Sequence, residues 1–448
     1  MELHPGYVVA IFGGACAGSE AAHHLAQRGI YSVVFEKNAL PYGKIEDGLP
    51  KWHVKLRNKE EQRIDDKITQ PYVSYVPNVK LGQDIDFDEV INEWGFSAVL
   101  LAIGAWRDRP LPVEGIDEYT GKGFYYQNSF VDWFNHYHEP DYDREQCEVL
   151  DDALVVGGGL ASIDVVKIFM LETALDAFGK KGIETDLFTL EKKGIPRIAE
   201  THGLQFEDLG LKGCTLYYRR RDIDMPLASP PPNATPEQSA KAQTVRQKIL
   251  QNAQNKYRFR FRPCSVPVDK IVEGDRLVGL GFVKSEIIDG RVKTIPGTEF
   301  EVRSPLVISS IGSIPEPTPR IQMKGELFVI RDENTGEMEG YENVFALGNT
   351  VTGKGNIKDS EAHARQVVHH VMDNFLKWAP EDYEKLMNEG AEAVSANRDR
   401  RVLSVEQVQS LYDRISRLQK QAGYDGNYAG WAEKNRSIRL EDLLGVEG

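Results

Sequence analysis

Two glycine-rich turns, each lying between an apolar strand-like run and a helix-like run, restrict this chain more than any other feature of its sequence. Residues 7–12 (YVVAIF) lead into Gly13, Gly14, Ala15, Cys16, Ala17 and Gly18, and the following SEAAHHLAQRG carries Ala and Leu at helical spacing until Gly29 stops it. A second apolar run, residues 31–35 (YSVVF), ends at Glu36 and completes a strand–helix–strand unit of the kind that builds parallel sheets. The same grammar returns at residues 153–156 (ALVV), where Gly157, Gly158 and Gly159 open a run with Ile163, Val166 and Met170 on one helical face.

A chain of 448 residues is too long for one ordinary core. The expected fold is therefore α/β, with two nested Rossmann-like dinucleotide-binding domains and a helical C-terminal extension. The first domain is expected at residues 1–112, interrupted by the second at 113–304 and resumed at 305–376, with the extension at 377–448. Residues 306–311 (LVISSI) and 344–347 (VFAL) are expected to return to the first sheet. Residues 257–302 alternate as antiparallel hairpins turning at 273–275 and 289–290, and a capped helix starting at Ser404 is expected to dock on its own domain.

The turns carry the chemistry. Such a turn lets backbone N–H groups approach a pyrophosphate at a helix N-terminus, while an acid about 20 residues on accepts hydrogen bonds from a ribose. Gly13, Ala15, Cys16, Ala17 and Gly18 form the first expected cradle, with Ala15 in the middle-glycine place, and Glu36 is the acid, followed by Lys37. In the second, Gly157, Gly159, Leu160, Ala161 and Ser162 form the cradle, but no acid follows at that distance. Arg219, Arg220 and Arg221 follow the strand-like CTLYY instead. Guanidinium groups there bind a 2′-phosphate bidentately where an acid would repel it, so NADPH is expected, with NADH possible. The competing readings are glycine turns of purely structural purpose and a solvated charge run.

Composition narrows the rest. A net charge of −14 argues against general affinity for nucleic acid or anionic lipid. Cys16, Cys147, Cys214 and Cys264 are scattered singly, so the sequence offers no CxxC pair, no metal site and no iron–sulfur ligand set. The most apolar stretch, residues 96–106, is short for a membrane span, and the apolar run near the N-terminus has no basic segment before it, so the expected location is the cytoplasm.

Several further segments resemble one family. They are residues 41–53 (PYGKIEDGLPKWH), 100–105 (LLAIGA), 130–135 (FVDWFN), the glycine turn ending in Asp164, the double arginine with Asp224-Met225-Pro226 after it, and VFALGN with the glycine-rich residues 353–357. From Val8 to about Val371 the chain is similar to the adrenodoxin-reductase type of ferredoxin–NADP reductase, and YRRRDIDMP is similar to the small, FAD-containing subunit of glutamate synthase. The resemblance implies one FAD and one NADPH, hydride transfer between them, and single-electron exchange between FAD and an iron–sulfur, ferredoxin-like protein or a larger redox complex. It places Gly43 and Lys44 in a segment over the flavin and Ala102 and Gly104 on an adjoining strand. Gly348, Asn349, Gly355, Asn356 and Ile357 lie beside the flavin by the same likeness, with backbone near Gly355 and Ile357 donating to its pyrimidine edge. Asn349 stands where many flavoproteins have aspartate, and Cys16 where proline is common.

The same resemblance singles out His53 as the catalytic candidate, since a neutral imidazole can relay protons. An acidic chain needs a local basic surface to receive an acidic electron-transfer partner. The candidates are Lys51, Lys55 and Arg57, or Arg258, Arg260 and Arg262 alternating onto one strand face. Two other classes stay open: an NAD(P)H-dependent flavin oxygenase or oxidase acting on a small substrate, and a non-catalytic FAD-binding redox sensor or scaffold.

Overall fold

The apolar runs before both glycine turns are buried along their whole length, the pattern of strands covered on both faces. The computed structural model describes residues 3–231, 233–353, 355–396 and 401–446, which divide between two units. One comprises residues 1–49, 54–107 and 313–438, the other residues 50–53, 108–312 and 439–448. Along the chain, β1 (Val8–Phe12), α1 (Cys16–Ala26), β2 (Tyr31–Phe35), α2 (Val54–Ile68), β3 (Val73–Val76) and β4 (Ala98–Leu101) begin the first unit. The second unit supplies β5 (Phe124–Tyr126), α3 (Gln127–His136), β6 (Leu154–Gly157), α4 (Leu160–Lys180), β7 (Thr215–Tyr217), α5 (Pro236–Tyr257) and β8 (Arg260–Arg262). It continues with β9 (Ser265–Glu273), β10 (Arg276–Ile288), β11 (Arg291–Thr294), β12 (Phe300–Arg303) and β13 (Val307–Ser310). The first unit then resumes with β14 (Ile330–Asp332), β15 (Glu337–Met338), β16 (Val344–Ala346), α6 (Ile357–His370), α7 (Val405–Gln421) and α8 (Tyr428–Asn435).

In the first unit the sheet runs β14-β15-β16-β4-β1-β2-β3. The inner strands are parallel, with Val9 opposite Ser32 and Ala98 and with Val344 opposite Val99. Alternation along β1 assigns the faces: Val9 and Ile11 pack with Leu25 of α1 and Val367 of α6, while Val8 and Ala10 pack with Val408 and Leu411 of α7. In the second unit the order is β5-β13-β6-β7-β8, all parallel. One face carries helices, through Phe169 of α4 and Leu250 of α5. The other carries the β9–β12 antiparallel sheet, through Leu277, Leu280 and Phe282. The two expected hairpin turns form: Glu273 pairs with Arg276, and Ile288 with Arg291 across Asp289 and Gly290, both at positive φ.

Two expectations are corrected and one is met. Residues 307–310 do not return to the first sheet; β13 sits between β5 and β6, where Val307 and Ile308 bury on opposite faces of the second. The boundaries accordingly fall at 107/108 and 312/313. The helix starting at Ser404 docks on its own domain as expected: Val408, Leu411 and Ile415 of α7 cover one face of the first sheet, and Tyr428 and Trp431 of α8 join the other cluster. Finally, the RFR run is not part of a hairpin: β8 is the parallel edge strand beside β7, and Arg258 ends α5 at φ 64°. Among the described residues no helix is long and apolar enough to cross a membrane.

A buried ionic cluster ties three helices of the first unit together. Lys67 of α2 reaches Glu20 of α1 at 2.8 Å and Glu361 of α6 at 3.0 Å, while Arg365 holds the other Glu20 oxygen at 2.7 Å and Arg63 reaches Glu361 at 3.0 Å. Burial pushes the Glu20 carboxyl up, but its bonds to Lys67 and Arg365 outweigh that and lower it to about 2. Lys67→Met leaves Glu20 with Arg365 and Glu361 with Arg63 but removes the charge between them, and the expected loss is about 1.5–3 kcal/mol of unfolding free energy in denaturant titrations. A depressed carboxyl stabilises the fold above its unfolded value of 4.5 and stops doing so as pH falls through its folded value. Stability is therefore expected to fall more steeply from pH 4.5 down to pH 2 in the wild type than in Glu20→Gln; equal slopes would remove Glu20 from the account.

Candidate dinucleotide-binding sites

The first turn is built by backbone lying on backbone. Gly13 has φ 94°, and a Cβ there would overlap the Ala102 carbonyl oxygen; a Cβ at Gly18 would overlap the Gly13 carbonyl oxygen. At Gly14 it would lie 2.6 Å from the Pro41 Cβ. The Gly14 N–H donates to one oxygen of Glu36 at 2.8 Å and the Asn38 N–H to the other at 3.1 Å, so the acid at the end of β2 holds the turn it was expected to accompany. Burial raises the Glu36 carboxyl, and these two N–H groups oppose the rise. Ala15 precedes α1, whose first residues are Cys16, Ala17 and Gly18. Burial, with Glu361 adding, pushes the Cys16 thiol up to about 12, so it stays protonated at neutral pH and is unsuited to thiolate chemistry.

Other expected positions of the first unit gather around this turn. Gly348, at φ 72°, would place a Cβ 2.6 Å from the Ala17 Cβ, so the loop after β16 rests on the first turn of α1. Its N–H donates to His363 Nδ1 at 3.0 Å, and His363 Nε2 donates to the Glu333 carbonyl at 2.7 Å. Asn349 Oδ1 is buried with no hydrogen-bond partner among the described residues. Asn356 uses its side chain to cap α6, accepting from the Asp359 N–H at 2.8 Å; the N–H groups of Ile357 and Lys358 have no intrahelical acceptor. Gly355 lies just before this cap, its nearest neighbour the Asn349 amide at 3.9 Å from a Cβ built on it. Gly104, at φ 70°, donates its N–H to Thr350 Oγ1 at 2.9 Å. Lys37 lies over the Trp106 ring at 3.7 Å, Lys44 donates to Ser313 Oγ at 3.0 Å, and Gly43 faces both Ala15 and Trp106. Trp106, Thr350 and His363 escape motif reading because their roles come from contacts distant in sequence.

The second turn distributes its glycines differently. A Cβ at Gly157 would overlap Ser162 Oγ and the Ser310 carbonyl oxygen, and one at Gly158 would overlap the Tyr218 ring, whereas Gly159 faces open space. The room left by Gly157 is taken by Ser162, whose hydroxyl donates to the Ser310 carbonyl at 2.9 Å and accepts from the Gly159 N–H at 3.3 Å. Leu160 and Ala161 are exposed at the start of α4. Of the arginine run, Arg221 is committed to Asp224 at 2.8 and 3.0 Å, and Arg220 donates to the Gly290 carbonyl at 3.0 Å; Arg219 is exposed. His53, also in the second unit, has its Nε2 3.9 Å from Asp164 Oδ1.

The expected basic surface at Lys51, Lys55 and Arg57 does not exist. Lys51 is 1% exposed with its ammonium over the Phe134 and Tyr137 rings at 4.4 and 3.9 Å, and Arg57 is 3% exposed; Lys55 alone is on the surface. Of the second candidate, Arg260 and Arg262 do alternate onto one exposed face of β8, with Arg260 paired to Asp152, whereas Arg258 lies outside the strand and pairs with Glu207.

Known proteins bear on this arrangement. No family model matches the chain. It is 25% identical over 260 residues to a mitochondrial NADPH:adrenodoxin oxidoreductase of Arabidopsis thaliana, covering 54% of this chain and 50% of that protein. It is 31% identical over 181 residues to a glutamate synthase [NADPH] small chain of Bacillus subtilis, covering 39% and 35%. The NADPH-Fe(3+) oxidoreductase subunit beta of Geobacter sulfurreducens is 26% identical over 318 residues, covering 69% and 37%. The matches thus span half or less of these relatives' own length. Among solved structures, Mycobacterium tuberculosis FprA in complex with NADPH superposes with a TM-score of 0.65 at 20% identity, covering 87% of this chain and 90% of that one. These proteins agree with the resemblance read from the sequence, and the structural likeness establishes the two-domain fold.

The steric pattern of the second turn makes a paired test. Gly157→Ala forces Ser162 or the Ser310 carbonyl to move and is expected to cost about 1–3 kcal/mol, whereas Gly159→Ala meets no neighbour and is expected to cost under about 1 kcal/mol. Thermal unfolding of the two variants, with circular dichroism to check that each folds, reads the difference. Equal losses would mean that the turn is not packed as described.

Proposed function

We propose that this chain is a flavoprotein reductase that binds FAD in the first unit and NADPH in the second, and that it exchanges single electrons with an iron–sulfur protein of the ferredoxin type, alone or within a larger redox complex, in the cytoplasm. The observation that carries this reading is the pair of strand–glycine turn–helix cradles on two separate sheets, with backbone too close for a side chain at Gly13 and Gly18 in the first and at Gly157 in the second. The names of the relatives support the reductase assignment, and those of adrenodoxin oxidoreductase and of cindoxin reductase from Citrobacter braakii support the class of partner.

The residues of the first unit fit an FAD. The glycine turn leaves the N-terminus of α1 open to a pyrophosphate, which its N–H groups and helix dipole favour. Glu36 uses one lone pair on each oxygen for Gly14 and Asn38 and retains others for ribose hydroxyls. The partnerless Asn349 Oδ1 suits a hydroxyl donor such as the ribityl chain carries. Ile357 and Lys358 offer free N–H groups at the start of α6, where negative charge on a reduced ring would be stabilised.

The second unit fits NADPH. Gly159 leaves open space for a pyrophosphate at the start of α4, and Arg219 and Arg220 supply guanidinium groups for a 2′-phosphate, Arg221 being held by Asp224. His53 Nε2, oriented by Asp164, is the position at which the protein would hold or pass a proton. When bound, the nicotinamide supplies hydride and the flavin receives it and releases electrons one at a time.

The purified protein is expected to be yellow, with one FAD per chain and no iron. A colourless protein that cannot be loaded with FAD, or one carrying FMN, would overturn the first half of the proposal. Arg219→Ala with Arg220→Ala is expected to raise KM for NADPH tenfold or more, by order of magnitude, while that for NADH changes little, because each lost charge-assisted bond is worth about 1.5–3 kcal/mol. Equal changes for both nucleotides, or a wild type that prefers NADH, would refute the NADPH assignment.

A further inference from the structure

The second unit has a cavity that neither glycine turn uses. It holds about 170 Å³ and opens where β6, β7 and β8 begin, bounded on its other side by Val302 and Arg303 at the end of β12. The second turn follows Gly157, at the opposite end of β6 from the Leu154 that lines this cavity. The strands are parallel and in register, Leu154 opposite Thr215 and Thr215 opposite Arg260, so Tyr217 and Arg262 form the next row on the same face.

From this cavity we propose a second anion site, distinct from the dinucleotide cradles, that takes a small dianion: a phosphate or a short dicarboxylate. Three arginines line it against one acid, Asp152. Arg260 is committed, donating to Asp152 at 2.7 Å, to the Gly213 carbonyl at 2.9 Å and to Thr215 Oγ1 at 2.9 Å, and Lys212 reaches the other Asp152 oxygen at 3.3 Å. The acid is thereby neutralised, and the charge left over belongs to Arg262 and Arg303. Arg262 is exposed and has no partner among the described residues. Arg303 pairs with Glu273, but both side chains are largely exposed, and such a pair yields easily to a better one.

The floor of the cavity supplies the third donor. Tyr217 is 7% exposed, its ring is stacked on Phe282 at 4.4 Å, and its hydroxyl has no hydrogen-bond partner among the described residues although it lines the cavity. The ring is held by its stack and the hydroxyl opens to the cavity, so it is free to donate to a ligand oxygen there. Two guanidinium forks and one phenol match the oxygens of a phosphate or of two carboxylates. The volume sets the size: it is below the roughly 300 Å³ at which pockets for drug-sized ligands begin, which excludes a nucleotide.

Calorimetric titration of the full chain with inorganic phosphate and, separately, with malonate at matched ionic strength tests this, and the tighter of the two identifies the class of dianion. One equivalent of a probe is expected to bind, with acetate, a monoanion, binding at least roughly tenfold more weakly. Arg262→Ala is expected to weaken the probe by roughly tenfold or more and Tyr217→Phe by a few-fold, with Arg219→Ala/Arg220→Ala leaving it unchanged. Unfolding temperatures measured alongside separate lost binding from lost fold, and Tyr217→Phe keeps the ring stack. Failure of both probes to bind the wild type overturns the site. So does phosphate binding that survives Arg262→Ala and Tyr217→Phe but disappears in the Arg219/Arg220 variant, since that ion sits at the second cradle.

Discussion

The structure of the first unit depends on one steric constraint, the contact of the Gly18 backbone with the Gly13 carbonyl. No side chain fits between them, and their closeness brings the start of α1 against the end of β1. Everything stacked on that crossing inherits its position. Gly348 rests on Ala17, Ala102 closes over Gly13, and Glu36 takes up the Gly14 N–H, so three segments far apart in sequence converge on six residues. The geometry presents backbone donors and a helix terminus in one place, which is what an anionic dinucleotide requires of a protein.

The ionic cluster around Lys67 extends the same arrangement into the interior. Glu20 lies one turn into α1 and Glu361 one turn into α6, so a single ammonium bridges the two helices whose N-termini are the proposed cofactor contacts. Buried ion pairs contribute little net stability against an apolar alternative, but they penalise any other arrangement of the same elements strongly. The C-terminal helices act on the site by another route. The Trp431 indole N–H donates to the Ala39 carbonyl at 2.7 Å and Tyr428 to Asp65 at 2.6 Å, and Asp65 also accepts from Tyr42, which fixes the segment leading to Gly43 and Lys44.

The site was partly legible in the sequence, and the division follows chemistry. Residues that act through backbone geometry, such as Gly13, Gly18, Gly157 and Gly348, were readable because only glycine suits those positions. Residues that act through charge were misread whenever burial mattered. Lys51 and Arg57 look like surface charges in a polar segment, yet one lies over two aromatic rings and the other in the packed face of α2. Likewise Asn356 carries a cap and Glu36 holds a turn, roles that depend on which N–H groups the fold brings within reach. Gly158 and Gly159 are adjacent and identical in the sequence; Tyr218 alone makes the first sterically necessary and leaves the second open.

By itself the sequence determined the local grammar: two strand–turn–helix units, the hairpin turns at Gly274 and at Asp289-Gly290, the capped helix at Ser404, and the absence of paired cysteines. These features are set by φ preferences, side-chain spacing and capping, which act over a few residues. Only the tertiary structure decided which sheet receives residues 307–310 and which basic side chains reach solvent. An apolar strand such as VISS satisfies its backbone equally well beside any parallel neighbour. Its partner is chosen by the volume and apolar surface that both faces must bury, and that information is spread over residues hundreds of positions apart.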